Sequence, residues 1–250
     1  MPQITGGHLV AKYLKEIENL DIVFTLSGGH IENILDGLVQ YGLRAIDVRH
    51  EQAAAMMAHA WSIYTGQPGV CLVTAGPGFT NALTGVANAY LDGAPLIVLC
   101  GRHPLRDDLT GALQEMNQID VVKPITKWAA TCLEAKRIPE YLSLAFQHAT
   151  LGRPGPVFVE LPPDILFTSV DEASLDIPCR GNHKTLSHPA ATELEKAAEL
   201  INEAKRPLLI GGSGVGYSDC GSSFAEFIER TGVPFALMNN GRGVLPDDHP

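Results

Sequence analysis

Short apolar runs alternate with amphipathic stretches along most of the chain. Runs of strand type lie at 22–26, 44–48, 70–73, 95–99, 125–132 and 157–161. Between them, apolar residues recur at the three- and four-residue spacing of helices, as in 6–19, 51–65 and 137–150. This alternation predicts an α/β fold whose first domain, residues 1–165, is a six-stranded parallel sheet with helices on both faces.

The composition changes after residue 165. Prolines and the polar run 180–184 predict an interdomain linker over residues 166–188. Residues 189–250 then show a helix, a strand that ends in a glycine turn, a second helix and a second strand, which is the opening of a Rossmann-like domain. Two strands are too few to close such a sheet. The sequence therefore predicts that the natural protein continues beyond Pro250.

Charge and cysteine usage exclude several classes of function. The formal net charge of -10 and the pI near 5.3 argue against nucleic acid or an anionic membrane as a partner. The five cysteines form no C-x-x-C pair, so neither a disulfide scaffold nor a zinc knuckle is indicated. No leader pattern and no membrane-length apolar run is present. These features predict a cytoplasmic protein.

Glu51 is the strongest candidate for chemistry. It follows the apolar run 44–48 and opens the helix 51–65, which is rich in alanine and almost uncharged. A zinc site of the H-E-x-x-H type is excluded, because position 54 is Ala54 rather than histidine. A carboxylate that merely complements the helix dipole remains an alternative. The small, uncharged neighbours favour a desolvated acid that takes part in proton transfer.

Glycine-rich turns follow two other strands. Gly76-Pro77-Gly78 comes after the run 70–73 and is compatible either with a phosphate cradle or with a sharp structural turn. The stretch 211–216 fits no G-x-G-x-x-G frame, so a flavin or nucleotide site there is a weaker hypothesis. His30 follows a third glycine turn, with a helix-capping role and an active-site role equally open.

Several motifs occur in an order that resembles one enzyme superfamily. They are Thr5-Gly6-Gly7, Ser27-Gly28-Gly29-His30, Arg49-His50-Glu51, the stretch from Val73 to Asn81, the stretch from Asn88 to Pro95, and Pro124-Ile125-Thr126-Lys127-Trp128-Ala129. Together they resemble the thiamine-diphosphate-dependent enzymes of the acetolactate synthase and 2-oxoacid decarboxylase superfamily. The resemblance covers a pyrimidine-binding domain and the first part of the central domain. Within that superfamily, the motifs look most similar to those of benzaldehyde lyases.

The resemblance implies roles for individual residues. Glu51 would hydrogen-bond N1′ of the cofactor's aminopyrimidine and so favour the tautomer that removes the thiazolium proton. His30 and Gln114 would face the carbonyl and hydroxyl groups of a small-molecule substrate. The wall beside the pyrimidine would be formed by Thr74, Gly76, Pro77, Gly78 and Asn81. The implied activity is that of a carbon–carbon lyase or carboligase on 2-hydroxyketones or 2-oxoacids.

Some features differ from the benzaldehyde lyase pattern. Ser27 stands where those enzymes carry a histidine, and Gln114-Glu115 is equally similar to acetolactate synthases and 2-hydroxyacyl-CoA lyases. The substrate therefore stays open between these activities.

The resemblance also implies an incomplete site. The superfamily binds the diphosphate through Mg²⁺ on a Gly-Asp-Gly motif in a C-terminal domain, and this sequence has no such motif. In the superfamily the active site lies between subunits of a homodimer or homotetramer. We therefore expect these 250 residues to be inactive by themselves. A non-catalytic fragment that dimerises through helix 51–65 is the alternative from another class.

Overall fold

The computed structural model describes residues 3–181 and 188–249. The chain divides into two compact units, Met1–His183 and Lys184–Pro250. The division falls within the predicted linker 166–188, of which residues 182–187 lie outside the described ranges.

Eight strands are described in the first unit; the six central ones overlap the six predicted runs, whereas the first and the last correspond to no predicted run. In chain order they are β1 (Gln3–Thr5), β2 (Ile22–Thr25), β3 (Arg44–Asp47), β4 (Gly69–Val73), β5 (Leu96–Gly101), β6 (Trp128–Thr131), β7 (Val157–Leu161) and β8 (Ser169–Asp171). Strands β2 to β7 form a six-stranded parallel sheet in the order β3-β2-β4-β5-β7-β6. The predicted sheet is confirmed.

Helices cover both faces of this sheet. They are α1 (Gly6–Lys12), α2 (Glu32–Gln40), α3 (Glu51–Thr65), α4 (Pro77–Asp92), α5 (Gln118–Val122), α6 (Ile138–Thr150) and α7 (Pro163–Leu166). Alternate residues of β4 explain the two layers, because successive side chains of a strand point to opposite faces. Val70 and Leu72 belong to the core beside α1, α2 and α6, whereas Cys71 and Val73 belong to the core beside α3 and α4.

The first helix differs from its prediction over 6–19. It is α-helical only through Lys12 and continues as a π-helical turn, Tyr13–Ile17. Thr5 occupies the N-cap position, but its side chain caps no backbone group. Instead, the Thr5 hydroxyl donates to Oδ1 of Asn33 at 2.9 Å, which links the start of α1 to α2.

Part of the predicted linker is built into the first unit. Strand β8 pairs antiparallel with β1, with Ile4 opposite Val170, and both side chains are buried. The first unit therefore extends beyond the predicted domain end at residue 165. A strand of three residues lacks a periodic pattern of its own, which explains why the sequence shows only a linker here.

The second unit begins with α8 (Ala191–Glu203) and β9 (Leu209–Gly211), followed by α9 (Ser213–Tyr217), α10 (Gly221–Thr231) and β10 (Phe235–Leu237). Strands β9 and β10 pair in parallel, as expected for the opening of a Rossmann-like domain. Among the helices of the described residues, none has the length and apolar character that crossing a membrane requires.

Candidate functional site

The predicted site residues gather where the chain reverses direction across the sheet. The chain passes from β2 outward to β3 and then returns to β4, on the other side of β2. Such a switch point leaves a crevice at the carboxyl ends of the two inner strands. Gly28 follows β2 and Thr74 follows β4, and a Cβ atom on Gly28 would lie only 2.5 Å from Cβ of Thr74. The two loops therefore touch at the crevice.

Glu51 is the first residue of α3 and is 7% exposed. Asn81 of α4 donates from Nδ2 to Oε2 of Glu51 at 2.9 Å. Oε1 of Glu51 accepts no hydrogen bond from the described residues of the chain, and it lies 3.3 Å from the position of a Cβ on Gly78. One carboxylate oxygen is thus fixed by the protein, while the other remains available to a ligand.

The turn before α4 forms a close wall beside Glu51. Gly76 has φ 59° and ψ −116°, which only glycine adopts readily, and Pro77 occupies the first turn of the helix. A Cβ on Gly78 would lie 2.6 Å from Cγ2 of Thr74. The position of a Cβ on Gly78 is thus taken by Thr74, and that of a Cβ on Gly76 by Gln114, so glycine at both positions lets these two residues pack closely beside the carboxylate.

His30 lies in a 3₁₀ turn after β2 and is buried. Its Nδ1 atom is 3.2 Å from Oγ1 of Thr74, and the backbone of Leu113 lies near the imidazole. Burial lowers the pKa of His30 below its usual value, with nearby His103 acting in the same direction and the Leu113 contact opposing it. The imidazole is therefore poised as a neutral group that can accept or donate a proton.

Gln114 lies in the loop after β5 and has φ 60°, a left-handed conformation uncommon for a residue with a side chain. Its Cβ is 2.7 Å from the position that a Cβ on Gly76 would occupy. This contact brings the loop against the glycine turn, and the preceding residue of the loop, Leu113, lies near His30. The structure thus brings the predicted site residues together; their roles toward a cofactor or substrate stay predictions.

Two buried polar residues at the site were not predicted from the sequence. Gln118 of α5 and Glu160 of β7 are 1% and 2% exposed, respectively. Nε2 of Gln118 donates to Oε1 of Glu160 at 2.9 Å, and its Oε1 accepts from the backbone N–H of Gly76 at 2.9 Å. The signal for Glu160 was present, since an acid within the otherwise apolar strand 157–161 requires a partner. Gln118 gave no comparable signal.

A histidine and two carboxylates cluster in the loop between β5 and α5, which also contains Gln114. His103, Asp108 and Glu115 place ligand-type atoms within 4.8 Å of one another. Asp108 already accepts from Arg102 at 2.6 Å and contacts Nε2 of His103 at 2.5 Å, and its pKa is lowered mainly by the contact with His103. Glu115 accepts three backbone N–H groups of the loop, which lower its pKa. These hydrogen bonds show that the cluster stabilises the conformation of the loop.

The fold and site define a cofactor-binding α/β domain, and comparison with known proteins specifies its class. Residues 4–121 match the model of the thiamine pyrophosphate enzyme N-terminal TPP binding domain, and residues 194–250 match the model of the central domain of the same enzymes. The chain belongs to the thiamine pyrophosphate enzyme family. The resemblance to this superfamily that was inferred from the motifs is confirmed.

Individual relatives belong to two kinds of enzyme. A probable acetolactate synthase large subunit of Methanocaldococcus jannaschii is 37% identical over 98% of this chain and 42% of its own length. The human 2-hydroxyacyl-CoA lyase 1 is 34% identical over 99% of the chain and 43% of its own length, and the Arabidopsis thaliana 2-hydroxyacyl-CoA lyase is 31% identical over 99% and 44%. The chain thus spans less than half of the length of these relatives.

Proposed function

We propose that the full-length protein is a thiamine-diphosphate-dependent lyase or carboligase that breaks or forms a carbon–carbon bond next to a carbonyl group. The observation that carries this proposal is the carboxylate of Glu51, buried at the switch point with one oxygen held by Asn81 and the other facing the glycine wall. Membership in the thiamine pyrophosphate enzyme family supports it.

The residues of the crevice fit an aminopyrimidine ring. Oε1 of Glu51 accepts no hydrogen bond from the described residues of the chain and can share a proton with a ring nitrogen such as N1′, and Gly78 lies directly beside this oxygen. Bound there, thiamine diphosphate would supply the acidic thiazolium carbon that adds to carbonyl groups. The carboxylate's task is to hold a proton at the ring nitrogen, and Asn81 orients the carboxylate for it.

His30 is suited to the substrate side of the reaction. Because its pKa is lowered by burial, the imidazole is neutral near pH 7 and can accept a proton from a hydroxyl group or return it. Thr74 fixes the orientation of the ring through Nδ1. Gln114 would place its amide beside the same substrate oxygen. In this proposal the partner of the site is a small carbonyl compound.

The names of the relatives bear on the substrate. Those relatives are acetolactate synthases and 2-hydroxyacyl-CoA lyases, so 2-oxoacids and 2-hydroxyacyl thioesters are the preferred substrate classes. A benzaldehyde-lyase-like reaction on 2-hydroxyketones is the alternative suggested by the motifs. All three reactions make or break the same kind of bond, so the roles proposed for Glu51 and His30 do not depend on the choice.

The proposal assigns Mg²⁺ and the diphosphate group to residues outside this chain, because no Gly-Asp-Gly motif is present. It also assigns the complete site to an interface between subunits. Exposed apolar side chains on α3 are consistent with such an interface: Met57, Ile63 and Tyr64 are 40%, 59% and 92% exposed. In globular proteins such groups commonly mark contact surfaces when they lie together on one element.

The decisive experiment is Glu51→Gln in the full-length protein. The substitution keeps the shape of the side chain but removes the carboxylate that shares a proton with the ring nitrogen. We expect deuterium exchange at C2 of bound thiamine diphosphate, followed by NMR after acid quench, to slow by about a hundredfold or more.

Glu32→Gln is the matched control. Glu32 is also a carboxylate in the first turn of a helix, but it is exposed. If Glu51 only complements the helix dipole, both variants will behave alike and the cofactor will exchange at the wild-type rate. That result would reject the proposed role.

A further inference from the structure

We propose that Gln118 is a positioning residue that binds the backbone on two flanks of the cofactor crevice, the side that carries Glu51 and the side that carries His30. Glu160 sets the orientation of the Gln118 amide. This inference rests on the proposed function, since it assigns Gln118 an effect on the Glu51 site. Gln118 is too deeply buried to meet a substrate, at 1% exposure, so it acts through the backbone that it binds.

The amide of Gln118 makes three hydrogen bonds to nitrogen and oxygen atoms, and Sγ of Cys100 donates a longer one to its Oε1, at 3.9 Å. Oε1 accepts from the N–H of Gly76 at 2.9 Å, while Nε2 donates to the carbonyl of Gly101 at 3.0 Å and to Glu160 at 2.9 Å. These contacts use both amide hydrogens and one acceptor position of the side chain. A buried amide with all its donors engaged has one stable orientation.

The bond to Gly76 fixes the flank that carries Glu51. Gly76 precedes α4, and its unusual φ and ψ leave its N–H pointing away from the helix toward α5. The position of this turn determines where α4 starts, and thereby where Asn81 meets Oε2 of Glu51. It also determines how closely Gln114 approaches, since Gly76 and Gln114 are in contact.

The bond to Gly101 fixes the flank that carries His30. A Cβ on Gly101 would lie 2.6 Å from Cβ of His30, so the end of β5 is packed directly against that residue. Gln118 therefore links the proton-sharing carboxylate and the substrate-side imidazole through two backbone groups. A shift of either group would change the distance between them.

Glu160 selects the orientation of the amide. It receives Nε2 of Gln118 at Oε1, and the Thr131 hydroxyl donates to its Oε2 at 2.6 Å. If the amide of Gln118 were reversed, its oxygen would face the carboxylate of Glu160 and the carbonyl of Gly101. These three acceptors would then have no donor between them. The reversed state is therefore excluded, and the N–H of Gly76 always meets an oxygen.

The first test replaces Gln118 by methionine, which has a similar volume and makes no comparable hydrogen bond. We expect faster amide hydrogen exchange in the peptide that contains Gly76, measured by mass spectrometry on the full-length protein. We also expect the thiamine diphosphate concentration for half-maximal activity to rise between about tenfold and a hundredfold, since small misplacements of site groups have effects of this size.

Gln147→Met provides the control for a general loss of stability. Gln147 is a helix amide of α6 with one hydrogen bond to Ser143 at 3.1 Å, and α6 lies on the other face of the sheet. Its replacement should leave the cofactor requirement and the Gly76 peptide unchanged. Both variants are compared at temperatures equally far below their own melting temperatures.

Exchanging the two partners gives a second test. Gln118→Glu alone places a carboxylate against Glu160 and the Gly101 carbonyl, and should impair cofactor binding at least as much as Gln118→Met. Adding Glu160→Gln returns a donor to the pair. We expect the double variant to recover part of the loss, which a merely structural disturbance at two buried positions would not show.

The outcomes separate this inference from the proposed function. Unchanged exchange at Gly76 in Gln118→Met, or faster exchange with an unchanged cofactor requirement, would overturn the positioning role. Failure of the wild-type protein to use thiamine diphosphate would overturn the proposed function itself. The Gly76 exchange would in that case still report whether Gln118 holds the turn, because it requires no activity.

Discussion

At the scale of single residues, burial lowers the proton affinity of two histidines in the first unit. His30 and His59 are both buried, and desolvation lowers the pKa of each below the ordinary value of 6.5. Nε2 of His59 is 3.2 Å from Asp92, which raises the pKa in partial opposition. The folded protein therefore binds fewer protons at these two sites than the unfolded chain does just below pH 6.5.

This difference predicts a loss of stability in mild acid. Where the unfolded chain binds more protons, the free energy of unfolding rises with pH, so it must fall as the pH drops from 7.5 to 5.5. Replacing His59 by glutamine removes one titrating group and should weaken this dependence. Urea unfolding at several pH values measures it, with His148→Gln, at an exposed histidine, as the control. An identical pH dependence in His59→Gln and wild type would contradict the prediction.

At the scale of elements, the pairing of α3 and α4 depends on small residues. These two helices carry Glu51 and Asn81, and their backbones approach closely where Gly85 meets Ala55. A Cβ on Gly85 would lie 2.6 Å from Cβ of Ala55 and 3.1 Å from the backbone nitrogen of Met56. The sequence predicts an alanine-rich, almost uncharged helix at 51–65, and the structure shows that α4 of the same chain covers one of its faces.

Gly85→Ala is expected to be destabilising. In an open helix this change would raise stability, because alanine has the higher helix propensity. Here the added methyl group must separate α3 from α4, and overpacking of this kind costs about 1–3 kcal/mol. Thermal or urea unfolding measures the loss. Gly29→Ala is the steric control, since nothing lies within 4 Å of its Cβ position. A Gly85→Ala protein as stable as the control would show that the helices can separate freely.

The sequence predicted elements better than it predicted contacts between distant elements. Helix α3 and strand β7 have the bounds that periodicity predicted. Gly66 ends α3, and the prolines at 154 and 156 precede β7, so both bounds are set by neighbouring residues in the sequence. Glu51 and the turn at Gly76 were likewise found from local motifs. The role of Gln118 was not predictable, because it depends on backbone groups of Gly76 and Gly101, which come from two other loops.

At the scale of the whole molecule, the boundary of the first unit is set by β8 rather than by the last strand of the sheet. Val170 of β8 is 5% exposed and belongs to the same core as Ile4 of β1. Leu175 and Ile177 also pack against this core. Residues that read as a linker in the sequence therefore contribute buried apolar surface, which stabilises the folded state.

Two fragments test this boundary. A fragment of residues 1–165 ends where the sequence predicts the domain to end, but it lacks the partner of β1. A fragment of residues 1–183 retains it. We expect the longer fragment to unfold at a clearly higher urea concentration, because only there are Ile4 and Val170 covered. Equal midpoints for the two fragments would show that β8 adds no stability.

The order of the strands has a further consequence for how the nascent chain acquires its structure. Strand β6 leaves the ribosome before β7, yet its partner in the sheet is β7, and β5 must also await β7 on that side. Strand β1, the first made, finds its partner at residues 169–171. The β5 edge of the early sheet and strand β1 thus stay unpaired until these late segments emerge, a period in which chaperone binding would protect them from pairing with other chains.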